Sequence, residues 1–190
     1  NNHIIVGWIY FICAWMSLFI ITGIIDFMLT PGAWLENGSF WSGFFNPTFW
    51  PSLFFRTFIA MVFASLFALV TASFLKDDTT RQTMMRYAVK WMPLPFALML
   101  ASAFWYLQAI PPETRTVMLQ ISPELRTYID GFLVLSPILF LTVLTMSIRL
   151  PHGLQQAAAL VLLAFGLVYM GAFEFTREGG RRPFLVHGYM

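Results

Sequence analysis

An all-α membrane bundle of five spanning helices is the fold this sequence predicts, and three observations predict it. Of the 190 residues, 58% are hydrophobic and only 11% are charged, where a soluble domain carries about 25% charged residues. The mean hydropathy is +0.71. Several apolar runs also reach the roughly 20 residues that a helix needs to cross a bilayer. A net charge of +2 gives no reason to expect a nucleic-acid partner, and the partner that composition does imply is the lipid bilayer. The single cysteine, Cys13, lies in an apolar run, which excludes an internal disulfide, a Cys-x-x-Cys-His haem attachment and a thiolate zinc site. A start at Asn1-Asn2-His3, without methionine, is expected of a processed chain or of part of a longer or split subunit. The first apolar run has full spanning length and no basic leader, so no signal peptide is expected.

Residues 4–29 read as the first span, ended by Pro31-Gly32. Residues 32–50 mix turn formers (Asn37-Gly38, Asn46-Pro47) with rings (Trp34, Phe40, Trp41, Phe44, Phe45, Phe49, Trp50). That mixture suits the headgroup belt, where amphipathic rings collect. Pro51 fits the first turn of a second span over 51–75. Residues 76–90 form a basic loop, and the third span covers 87–110 with Pro93 and Pro95 bending its start. Residues 111–130 make a polar connection with room for a short interfacial helix. The fourth span is 131–150; a Pro151-His152-Gly153 turn follows, then the fifth span over 154–174. With no internal repeat and no low-complexity segment, residues 1–190 form one transmembrane domain.

Residues 26–50 contain no lysine or arginine, whereas 76–90 contain Lys76, Arg81, Arg86 and Lys90. Basic loops stay in the cytoplasm, so the aromatic segment is expected outside, as is the carboxyl-terminal motif. Arg177, Arg181 and Arg182 run against that rule unless anionic partners hold them there. Asp26, Arg56, Glu174 and Glu178 then share one depth near the outer leaflet, and Asp26 and Arg56, on consecutive spans, form a candidate ion pair.

The segment Phe173-Glu174-Phe175-Thr176-Arg177-Glu178-Gly179-Gly180-Arg181-Arg182-Pro183-Phe184 concentrates the chemistry. Glu174 and Glu178 are four residues apart and share a face of any helix. Carboxylates near bilayer depth are expensive; they are kept where they pair, move protons or hold a cofactor. The simpler reading is an interfacial anchor, with arginines on lipid phosphate and glutamates reaching water.

The order of motifs favours the other reading, because it resembles subunit I of the cytochrome bd quinol oxidases. In that family a helix ends in a Trp-Met-Gln-x-Pro type sequence. A loop with an Asn-Pro pair follows, then a helix beginning with a haem-ligating histidine. A later helix ends in Glu-x-Gly-Arg-Gln-Pro-Trp. Here Phe27-Met28-Leu29-Thr30-Pro31-Gly32, Phe45-Asn46-Pro47-Thr48-Phe49 and Glu178-Gly179-Gly180-Arg181-Arg182-Pro183-Phe184 resemble these in order, and Gly188 falls where the family has a glycine. The similarity corresponds to the middle and late helices of that subunit, with its quinol-binding loop reduced to residues 111–130.

The resemblance implies a b-type haem of the high-spin kind near the outer surface of a prokaryotic inner membrane, with Glu178 as iron ligand. It implies Arg181, with Arg182, on the haem propionates, a use suited to a planar bidentate guanidinium. Glu174, one turn back, becomes a second-sphere acid or proton carrier. The low-spin b haem is expected to be absent, because Leu53-Phe54-Phe55-Arg56-Thr57 has no histidine and 131–140 has no methionine. Arg56 then fills that space, toward Asp26 or a propionate. Partners implied are other membrane subunits of a respiratory complex and an electron donor, either a c-type cytochrome or a quinol.

Other candidates have ordinary readings beside them. His3 and His187 could each ligate iron, yet a histidine at a helix end or past the arginine motif is expected to be hydrated. His152 reads as a solvated turn residue. Most of the eleven methionines are core filler, with Met28 set apart by its place in the motif. Two alternatives remain open: a haem-free structural or anchoring subunit, and a quinone-binding subunit stacking its ligand on Trp34, Trp41 and Trp50. No nucleotide loop, Ser-His-Asp set or zinc spacing is present.

Overall fold

The computed structural model describes residues 2–121, 123–148 and 156–186, with side chains given for these apart from positions 117, 121 and 182–186. The described chain is helical, with no strand among the described residues. Nine helices follow in order among those residues: α1 (Asn2–Phe27), α2 (Trp34–Asn37), α3 (Phe40–Phe44), α4 (Phe49–Ser73), α5 (Asp78–Trp91), α6 (Pro93–Ala109), α7 (Pro112–Ile121), α8 (Glu124–Ile148) and α9 (Gln156–Val186). Five stretches are long and apolar enough to cross a membrane: Asn2–Phe27, Phe49–Ser73, Asp78–Ala109, Glu124–Ile148 and Gln156–Arg181. The chain is a multi-pass membrane protein built as an all-α bundle.

Helix α4 is the axis of the bundle, packed by α1, α5, α6 and α9. Its Phe55, Ile59, Val62 and Leu66 form one core with Met92, Phe96 and Met99, and Leu69 and Ala72 form a second with Met85, Ala88, Val89 and Ala159. Lipid tails are as apolar as these side chains, so the driving force here is close packing rather than escape from water. Small residues provide it. A Cβ on Gly166 would lie 2.9 Å from Leu66 Cδ1, and the Phe55 and Phe173 rings meet at 4.4 Å. Hydroxyls inside the spans are satisfied locally: Thr22, Thr57, Ser65 and Ser102 donate to the carbonyls of Leu18, Leu53, Met61 and Leu98, as a medium without water requires.

Three boundaries differ from the sequence reading, each for a local reason. Residues 78–91 are helix rather than basic loop. The Asp77 carboxylate accepts from the Thr80 backbone N–H at 2.7 Å and caps the helix, while Met85, Ala88 and Val89 face inward. Pro93 interrupts the hydrogen-bond ladder at Met92 without ending the span. The 32 residues from Asp78 to Ala109 measure about 48 Å as helix, well beyond a core of about 30 Å, so the polar start of α5 projects from the membrane. Helix α8 begins at Glu124, one to two turns before residue 131. Helix α9 runs through Glu174 and the glycine pair to Val186.

The hydrogen bond from Thr80 holds the Asp77 carboxyl below the usual carboxylate range. A depressed folded-state value means the cap stabilises α5 above the unfolded aspartate's pKa of about 4 and is lost as pH falls through the lower folded value. Acidification below about pH 4 should therefore release the first turn of α5, read as faster amide exchange at Thr80. Asp77→Asn keeps a capping oxygen and should remove that pH dependence; a persisting dependence would place its origin elsewhere.

Candidate functional site: an arginine–carboxylate cluster at one end of the bundle

The end of α1, the start of α4, the end of α6 and the late part of α9 meet at one end of the bundle. Asp26, on the last turn of α1, is only 3% exposed. It interacts with the Ser52 hydroxyl and with the guanidinium charges of Arg56, Arg177 and Arg181. Tyr106, on α6, faces the same four charged side chains. Three helices thus deliver charge to one end of the bundle, with Tyr106 of a fourth beside it.

The internal pairing is uneven. Arg177 is well held, donating to Glu174 Oε2 through Nη2 at 2.6 Å and through Nε at 2.8 Å. Arg181 reaches Glu178 only at 3.9 Å. The expected ion pair between Asp26 and Arg56 does not form: Arg56 acts on Asp26 only through its charge, and the hydrogen bond it makes is from Nε to Ser52 Oγ, at 3.4 Å. Three buried polar atoms of the cluster have no hydrogen-bond partner: Asp26 Oδ2, Arg177 Nη1 and Arg181 Nε. Leaving such groups unpaired costs about 1–3 kcal/mol each, and more when charged, so each calls for a partner such as an ordered water or an ion.

Helix α9 presents Glu174 and Glu178 on one face, since it is unbroken through both. The Glu178 side chain is 57% exposed and the Arg181 side chain 17%. The carboxylate is therefore reachable while the guanidinium lies within. The glycine pair in the motif has a packing role that sequence alone did not reveal. A Cβ on Gly179 would lie 2.8 Å from Leu125 Cδ2, and one on Gly180 would lie 2.6 Å from Met118 Cε. Each glycine costs helix stability, about 1 kcal/mol relative to alanine, but lets α7 and the start of α8 close against α9 beside the arginines. Arg115 ties α7 to the end of α6 by donating to the Leu107 and Ile110 carbonyls at 2.7 and 3.2 Å.

The other candidates separate. His3 is exposed on the first turn of α1, about 35 Å of helix away from Asp26, so it cannot share an ion with Glu178. His152 and His187, with Gly188 and the side chain of Arg182, lie outside the described residues. The aromatic segment forms a row rather than a pocket. Trp41 stacks on Phe45 at 5.9 Å, Phe45 on Trp50 at 6.0 Å, Trp50 on Phe54 at 6.2 Å and Phe54 on Trp105 at 6.2 Å. Trp34 stands apart, edge-on to Phe27. Exposed rings in this arrangement suit the headgroup belt.

Tyr106 and Ser52 were not singled out from sequence. The usable signal was depth: each lies one to two turns from the same end of its span as Asp26 does. No group of three or more His, Cys, Asp and Glu side chains able to hold a metal ion occurs among the described residues. The unpaired N–H groups of Arg177 and Arg181 fit carboxylate or phosphate oxygens, and Glu178 offers an accessible anionic oxygen, so the residues present are compatible with a propionate-bearing ring. Comparison with protein-family models, with curated proteins and with solved structures finds no match to this chain.

Proposed function

We propose that the chain is a membrane subunit of a cytochrome bd-oxidase-like respiratory electron-transfer complex, holding a b-type haem at the arginine–carboxylate cluster. The observation that supports this most is the pair of unpartnered guanidinium nitrogens, Arg177 Nη1 and Arg181 Nε, beside the exposed carboxylate of Glu178. In this reading Arg181, with Arg177 and Arg182, binds the propionates, Glu178 offers an oxygen to the iron, and Glu174 keeps Arg177 in place. When bound, the haem supplies one-electron redox chemistry. The protein's own contribution is to orient the ring and balance its charge. The cluster faces outward from a prokaryotic inner membrane, other membrane subunits complete the complex, and a c-type cytochrome or quinol supplies electrons.

Glu178→Ala tests the ligand. The variant is expected to assemble with its helix content intact while its high-spin haem signal falls at least tenfold. Unchanged haem content would remove Glu178 from that role. The 57% exposure of Glu178 favours a second reading, a haem-free scaffold that uses this end to join a partner subunit. Under that reading Glu178→Ala alters assembly or stability and no spectrum.

A further inference from the structure

We propose that the face of α5 bearing Arg86 and Lys90 binds one anionic phospholipid of the phosphatidylglycerol type, in the leaflet opposite the arginine–carboxylate cluster. Met85, Ala88 and Val89 of α5 turn inward, and helical spacing puts Arg86 and Lys90, one turn apart, on the outward face. Both are exposed. From Arg86 to Tyr106 the helical span rises about 30 Å, the thickness of the hydrocarbon core. With Tyr106 near one boundary, Arg86 lies near the other. Tyr87 and Trp91, also exposed and one turn apart, pack ring to ring at 6.2 Å beside the two cations. Amphipathic rings at that level suit lipid headgroups. Lys90, a turn deeper, reaches the same level by laying its aliphatic stem along the helix.

The chain itself offers these cations no counter-charge. Of its nine acidic residues, only Asp77 and Asp78 lie at this end of the bundle. Asp77 caps α5 through the Thr80 N–H, and Asp78 holds Arg81. Helices α4 and α6, which pack on α5, contain no aspartate or glutamate, and the acids of α8 sit at its far end. The three ion pairs among the described residues involve neither Arg86 nor Lys90. Like charges at this spacing destabilise a helix, and a phosphodiester between them removes that cost. Beyond Arg86, where α5 projects from the membrane, Asp78, Thr79, Gln82 and Thr83 join it around a groove of about 240 Å³. A phosphate seated on Arg86 and Lys90 places its head alcohol in this groove, against an amide, two hydroxyls and a carboxylate. Such a lining exchanges hydrogen bonds with glycerol hydroxyls, and its carboxylate repels a second phosphate. The site needs no haem at the other end of the bundle.

The test places the purified full chain in phosphatidylcholine bilayers and compares, by electron spin resonance, how strongly it holds spin-labelled phosphatidylglycerol and spin-labelled phosphatidylcholine. The wild type should prefer the anionic lipid about tenfold, as two cations at the membrane surface allow. Arg86→Gln with Lys90→Gln should bring the ratio close to one while helix content stays the same. Should that double variant not insert, Lys90→Gln alone is expected to lower the preference about threefold. Lys76→Gln removes the same charge from the turn before α5, off this face, and should leave the preference unchanged. Equal losses for Lys76→Gln and Lys90→Gln would show diffuse attraction to a basic surface and overturn the site. A preference that the double variant keeps would do the same. No preference in the wild type would also refute it and leave the face to an acidic partner protein. Spin-labelled phosphatidylmethanol, equally charged but without head hydroxyls, should be held less tightly than phosphatidylglycerol; equal binding would refute the role given to the groove. Glycerol 3-phosphate in the buffer should not displace the lipid, and displacement would make this a site for a soluble anion instead.

Discussion

Valine at position 23 should destabilise the bundle by about 3 kcal/mol, at the upper end of the cost of overpacking. Gly23 lies on α1 where the Phe44 ring of α3 crosses, and a Cβ there would stand 2.5, 2.7 and 2.8 Å from three ring carbons. The ring has nowhere to go. It packs against Phe19, Phe40, Trp41, Phe45 and Phe49. The fit is reciprocal, since the Phe27 ring lies 2.9 Å from where a Cβ of Gly43 would be. Any side chain at either glycine lifts α1 from the aromatic segment and moves Asp26 with it. Gly7, with nothing within 4 Å of its Cβ position, is the control: Gly7→Ala should change stability by less than about 1 kcal/mol. Equal effects of the two substitutions in an SDS titration would show that the crossing does not matter.

Asn46→Leu should cost about as much, roughly 3 kcal/mol, through polar groups left without partners. Asn46 is 2% exposed. Its amide donates to the Gly43 and Phe44 carbonyls at 3.1 and 3.4 Å, and its oxygen accepts from Thr48 N, Thr48 Oγ1 and Thr30 Oγ1 at 3.2, 3.0 and 3.2 Å. This one side chain joins the turn after α1 to the start of α4, and so fixes the distance from Asp26 to Arg56. Leucine has similar volume and no polar atoms, so a stability loss reports the network rather than a cavity. A loss below about 1 kcal/mol, no more than a single ordinary hydrogen bond, would show that the threonines and backbone groups find other partners.

The spans were legible because a run of about 20 apolar residues is a signal of composition, independent of what each residue touches. That Asp26, Arg56, Glu174 and Glu178 each lie near an end of an apolar run was legible for the same reason. Pairing was not. Depth brings Asp26 and Arg56 close, but whether Arg56 donates to Asp26 or to Ser52 depends on rotamers and helix rotation. The start of α5 was hidden by its polarity, since Asp77 and Thr80 look like loop residues until one caps the other. The packing role of the Gly179-Gly180 pair was not legible either. Glycines commonly end helices, and here they make room for Leu125 and Met118 within one. The orphan atoms of Asp26, Arg177 and Arg181 are a property of assembled space, and no periodicity could announce them.

The most direct measurement of the central claim is a reduced-minus-oxidised optical spectrum of the purified protein, with non-covalent haem extracted and counted per chain. A site built from Glu178, Arg177 and Arg181 predicts a high-spin b-type signal at about one haem per chain, with no covalent attachment because Cys13 is the single cysteine. A spectrum without haem, from protein whose helices are intact, would contradict it and leave the cluster as the seat of a partner subunit.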